Sequence, residues 1–152
     1  ACDTSLEQTG AIIGNLRMQN GTISNVTISA YFSKRLEEQE ILLSSRAREL
    51  IGIGYALQNF KDLIPKTLKF ILLCDHKSLQ DIHHSTNLKT STSTRCRLAY
   101  STLLQYPLCE VRYLAGNSDI INIADALSRL KFVDSERLRS IQHREHNLRS
   151  EI

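Results

Sequence analysis

The sequence predicts a mixed α/β domain, a sheet with both antiparallel and parallel strands and helices on its faces. Three observations carry this. Three strand-like segments with short turns open the chain. Helix-like and strand-like segments then alternate. Pro65 and Pro107 each stop a helix before the strand that follows. With 152 residues, 41% hydrophobic and 23% charged, the chain has the composition of an ordinary globular domain with a sizeable core.

The segment from Ala1 to Asp3 reads as a short first strand, and its brevity suggests a domain cut from a longer polypeptide. Ala11 to Met18 is a second strand, and Asn20-Gly21 is a turn dipeptide. From Val26 to Ser33 apolar and polar residues alternate with period two, as in a half-buried strand. Three strands in succession suggest an antiparallel meander. Ser44 or Ser45 is placed to cap a helix running to about Leu63, with Ile53, Leu57, Phe60 and Ile64 on one face. Phe70 to Cys74 is an uninterrupted apolar run, expected to be a central strand buried on both faces. A helix from about Ser93 to Gln105 and a strand from Cys109 to Leu114 follow. Asn122 is the expected cap of the last core helix, with Ile123, Leu127 and Leu130 on its buried face. Beyond Lys131 the chain is charged with sparse apolar residues. The expected organisation is a domain over residues 1–130 and a helical tail or linker over 131–152.

The formal net charge is +3, which permits a nucleic-acid partner without arguing for one. The basic residues Lys89, Arg95, Arg97 and Arg112 gather in one stretch around a single acid, Glu110. No apolar run approaches the ~20 residues of a membrane span, so no membrane partner is expected. The opening Ala1-Cys2-Asp3 lacks the basic and apolar regions of a signal peptide. Cys2, Cys74, Cys96 and Cys109 show no Cys-x-x-Cys pair and no zinc spacing, so buried free thiols are expected.

Carboxylates stand where folding alone would not put them. Asp75 directly follows the most apolar strand, and Asp3 ends the first. Glu49 extends the buried stripe of its helix toward the N-terminus. Asp125 falls in what reads as the first turn of the last helix. Singly, each has a structural reading as a turn, cap or first-turn acid. Together they form a set whose burial is costly unless a cation neutralises it. Oxygen ligands of this kind suit magnesium or manganese.

Four motifs occur in order: Cys2-Asp-Thr-Ser, Arg48-Glu-Leu-Ile-Gly-Ile, Leu73-Cys-Asp-His-Lys-Ser-Leu and Ala124-Asp-Ala-Leu-Ser-Arg. Residues 28–36 (Ile-Ser-Ala-Tyr-Phe-Ser-Lys-Arg-Leu) and Leu114-Ala-Gly add to the set. This pattern resembles the ribonuclease H domain of gypsy-type (Metaviridae) long-terminal-repeat retrotransposon reverse transcriptases, over about residues 1–130. The resemblance implies a five-stranded mixed sheet, three strands antiparallel and then parallel ones, with helices on both faces. It implies hydrolysis of the RNA strand of RNA–DNA hybrids during reverse transcription, leaving 3′-hydroxyl and 5′-phosphate ends. Two Mg2+ or Mn2+ ions are implied at Asp3, Glu49, Asp75 and Asp125. Asp3 would bridge the ions, Asp125 would help hold the one that activates water, and Glu49 and Asp75 the one at the leaving oxygen. The polymerase part of the same polyprotein is the implied partner. The implied location is cytoplasmic, within retrotransposon particles, with the nucleus as a second site.

Candidate substrate contacts are Thr4 and Ser5 beside Asp3, Arg46 one turn before Glu49, and Lys89, Arg95 and Arg97. The sequence departs from cellular and many retroviral relatives in one respect. The loop from Leu114 to Ala124 carries no histidine, as is common among gypsy-type sequences. An integrase or transposase core would place its glutamate last among the acids, whereas here it is second. The alternative of another class is a non-catalytic ribonuclease-H-like connector or hybrid-binding module, which typically loses acidic residues.

Overall fold

The computed structural model describes residues 1–20, 22–84 and 93–129. Lys89, Leu130 and the tail over 131–152 lie outside the described residues. The mixed α/β class holds. β1 (Cys2–Thr4), β2 (Gln8–Gln19) and β3 (Thr22–Arg35) form an antiparallel sheet in the order β1-β2-β3. A short α1 (Glu38–Ile41) and the long α2 (Ser45–Asn59) lead to β4 (Phe70–Cys74). Then come α3 (Thr94–Leu104), β5 (Cys109–Tyr113) and α4 (Asp119–Ser128), with β4 and β5 paired in parallel.

β1 lies against β4, but hydrogen-bonded ladders join the strands as a trio and a pair. The arrangement is compatible with one five-stranded sheet. With β1 only three residues long, the junction offers few backbone groups for a ladder.

The hairpin register runs from Gln8↔Arg35 to Gln19↔Thr22, and Asn20 takes a left-handed φ of 53° at its turn. Local sequence also sets the helix starts. The Ser44 hydroxyl accepts from the Ala47 N–H at 3.2 Å, and the Ser93 hydroxyl from the Cys96 N–H at 3.4 Å. The expected stripe of α2 is buried: Ile53, Leu57, Phe60 and Ile64 all join the core. The helix itself stops at Asn59, and Phe60 to Ile64 continue as a turn in which Leu63 and Ile64 both bond to the Phe60 carbonyl. All four cysteines are free and buried.

Two expectations need correction. β4 is not buried on both faces. Leu72 and Cys74 face the core under α2 and α3, but Ile71 is 39% exposed and Leu73 half-buried. The helix on the other side, α4, packs on β1, β2 and β3 instead.

The second correction concerns α4. Its cap is Ser118, not Asn122. The Ser118 hydroxyl accepts from the Ile121 N–H, and the Asn122 N–H already bonds to the Ser118 carbonyl at 2.9 Å. The buried face is Ile120, Ile121, Ala124 and Ser128, and Ile123 is 39% exposed. The cause is close packing. A Cβ on Gly10 of β2 would stand 2.4 Å from the Ala124 carbonyl oxygen and 2.5 Å from the Ser128 nitrogen. Small residues on α4 and a glycine on β2 allow that approach.

Candidate active site

Three elements deliver three carboxylates to one point. Asp3 sits mid-β1, Glu49 on α2 one turn beyond its cap, and Asp75 immediately after β4. One carboxylate oxygen of each lies within 4.8 Å of the others. Asp3 and Glu49 are buried, and Asp75 is half-buried.

Packing explains the convergence. Gly52, three residues after Glu49, presses α2 against the sheet. A Cβ there would stand 2.2 Å from Thr4 Oγ1 and 2.5 Å from Thr9 Oγ1. That approach lets the Thr4 backbone N–H donate to Glu49 Oε1 at 3.1 Å. Ser128 Oγ donates to Asp3 Oδ2 at 2.8 Å. The loop after β5 passes over Asp75 so closely that a Cβ on Gly116 would lie 3.2 Å from Asp75 Oδ2.

The electrostatics follow from the crowding. Burial, then the charges of Asp3 and Asp75, push the Glu49 carboxyl up to about 8, against the Thr4 N–H and Arg48. Burial, with the neighbouring Asp75 and Asp125 carboxylates, pushes Asp3 up to about 6, against the hydrogen bond from Ser128. Among the described residues, Glu49 Oε2 is enclosed without a hydrogen-bond partner. A buried acceptor of this kind costs free energy unless something occupies it. An oxygen-rich group of three acids with an orphaned buried oxygen fits a hard divalent cation.

The sequence model of the RNase H-like domain found in reverse transcriptase matches residues 1–106. The chain belongs to that family. No curated protein matches the sequence. The matched span of this RNase H-like domain holds Asp3, Glu49 and Asp75; Asp125 and α4 lie beyond it.

Asp125, expected as a fourth member, stands beside the trio rather than in it. With α4 beginning at Asp119, Asp125 falls in the second turn, and Arg129 Nε bonds its Oδ1 at 2.6 Å. It is close enough to Asp3 to influence that carboxyl's proton affinity.

The candidate substrate contacts are distributed differently. Thr4 serves Glu49 through its N–H and bonds Thr9 through its hydroxyl at 3.1 Å. Ser5 Oγ is bonded to the Gln8 and Ser128 carbonyls at 3.0 and 2.7 Å. Arg95 is held by Glu37 at 2.6 Å and by the buried Glu40 at 2.8 Å. Tyr55 donates to that same Glu40 at 2.6 Å. The exposed Arg97 donates to Thr94 Oγ1 at 3.1 Å. Arg46 is half-buried, its Nε without a hydrogen-bond partner among the described residues. Lys89 lies outside the described residues.

Sequence reasoning missed Ser128, Gly52 and Gly116 as parts of the site. Ser128 had a weak signal, a serine three residues after Asp125 inside a quoted motif. The two glycines stand inside quoted motifs, but nothing local shows which carboxylate each approaches.

Proposed function

We propose that this domain is a metal-dependent endonuclease that hydrolyses the RNA strand of RNA–DNA hybrids, leaving 3′-hydroxyl and 5′-phosphate ends. The observation that carries the reading is the three-acid cluster: ligand oxygens within 4.8 Å, drawn from three separate elements of an RNase H-like domain. Retaining these acids so close together costs folding free energy, which argues against a purely connecting module. The residues that would hold two Mg2+ or Mn2+ ions are Asp3, Glu49 and Asp75, with Asp125 alongside. Bound ions of this type supply Lewis acidity at the reacting phosphate and lower the pKa of water.

The chain's own residues do the rest. Asp3 and Glu49 release protons as positive charge arrives, which makes binding favour higher pH. The Thr4 N–H orients Glu49, and Ser128 orients Asp3. Arg129 holds Asp125 at the rim. Selectivity for hybrids would rest on shape and 2′-hydroxyl contacts rather than base sequence, with Arg46 and Arg97 as available cations.

In the same proposal the domain extends to residue 130, and residues 131–152 form a tail or linker. The chain belongs with a polymerase part in one polyprotein of gypsy type, working in cytoplasmic retrotransposon particles or in the nucleus.

The test is incubation of a labelled RNA–DNA hybrid with the protein in Mg2+ or Mn2+, with chelator and Asp3→Asn as controls. Cleavage that needs the metal and Asp3 is expected. Full activity in chelator refutes the metal reading, and equal cleavage of double-stranded DNA refutes the substrate.

A further inference from the structure

Ser128 is 1% exposed, at the last position of α4. Its hydroxyl lies 2.8 Å from Asp3 Oδ2 and 2.8 Å from the Asp125 carbonyl oxygen. One hydroxyl proton thus lies between the strand that carries Asp3 and the helix that carries Asp125. The helix end is itself clamped. The last carbonyls of a helix lack partners within it, and here side chains from the sheet and from the turn between β1 and β2 supply them. Gln8 Nε2 and Ser33 Oγ donate to the Leu127 carbonyl at 2.9 and 2.7 Å, and Ser5 Oγ donates to the Ser128 carbonyl at 2.7 Å. The hydroxyl therefore cannot follow Asp3 if that carboxylate turns; the carboxylate is held to the hydroxyl.

We propose that Ser128 is a positioning residue for the metal site: it fixes the rotation of the Asp3 carboxylate and so places the second oxygen of Asp3 relative to Glu49 and Asp75. The inference rests on the metal-site reading above. A partner that orients a metal ligand is commonly worth about 10–100-fold in metal affinity. Simple glue between α4 and β1 would instead affect stability alone. The structure offers the control that separates the two. Ser33 holds the same helix end through the Leu127 carbonyl but is bonded to none of the acids.

The experiment is Mn2+ titration of the full chain by calorimetry, with the electron paramagnetic resonance spectrum of bound Mn2+ and the melting temperature as companion readings. Ser128→Ala is expected to weaken Mn2+ binding about 10-fold or more and to alter the Mn2+ spectrum. Ser33→Ala is expected to lower the melting temperature while binding Mn2+ as the wild type does. Ser128→Cys keeps a weak donor and should fall between Ser128→Ala and wild type. Wild-type affinity in Ser128→Ala, or an equal loss in Ser33→Ala, overturns the role of Ser128 and leaves the metal site standing. A wild-type chain that binds no Mn2+ overturns both.

Discussion

Replacing Glu49 by glutamine should abolish function and yet stabilise the metal-free protein at neutral and alkaline pH. The magnitude follows from the position of its carboxyl. Folding raises Glu49 from 4.5 to about 8 because the group is buried beside Asp3 and Asp75. An acid raised on folding binds its proton more tightly in the native state. Stability is therefore lost as pH rises from the unfolded toward the folded value. At about 1.4 kcal/mol per unit, the wild type should lose on the order of 3–4 kcal/mol between pH 5 and pH 8 from this group. Glutamine carries no charge to desolvate. Its amide oxygen can still accept from the Thr4 N–H, and its amide N–H groups can donate to the neighbouring carboxylates, since Asp3 and Asp75 each place an oxygen within 4.8 Å of a Glu49 oxygen. The assay is urea denaturation of both proteins in chelator at pH 5 and pH 8. The stability difference in favour of Glu49→Gln should grow by that amount across the interval. Adding Mn2+ at about a hundredfold over its dissociation constant should stabilise the wild type by ~2.7 kcal/mol and the variant far less. A difference between the two proteins that stays constant from pH 5 to pH 8 would refute the argument that Glu49 is a strained buried acid awaiting a cation.

Other expectations follow from the same structure. Asp75→Asn should remove most hybrid cleavage with circular dichroism unchanged; wild-type rates in saturating metal would remove Asp75 from the ligand set. Gly52→Ala should destabilise by about 1–3 kcal/mol through overpacking against Thr4 and Thr9, measured by chemical denaturation; a neutral result would mean that α2 does not depend on that approach. Arg95→Met should lower the melting temperature, since Glu40 is left buried with Tyr55 as its remaining side-chain partner, while hybrid binding stays unchanged; weakened hybrid binding at full stability would restore Arg95 as a phosphate contact. A chain ending at residue 131 should fold with the melting temperature of the full chain, as read by calorimetry, because among the described residues the last element around the acids is α4, which ends at Ser128.

The sequence by itself determined most of the elements and the three acids, Asp3, Glu49 and Asp75, that the fold gathers. Hydrophobic period, serine caps and proline stops are local signals. They located the apolar strand ending at Cys74, the buried stripe of α2 and the serine starts of α2 and α3, because each depends on neighbours a few residues away. Acids at the ends of apolar segments were legible for the same reason: burial of Asp3 and Glu49 could be read from the residues around them. Tertiary structure alone decided how closely the elements approach. Ser118 rather than Asn122 begins α4, and Ala124 and Ser128 rather than Ile123 face the sheet, because Gly10 admits a helix backbone where a side chain would collide. The same packing brings Ser128 against Asp3. Tertiary packing likewise committed Arg95 to Glu37 and Glu40, residues more than fifty positions away in the chain. Contacts of this range rest on steric fit between distant surfaces, which no local pattern encodes.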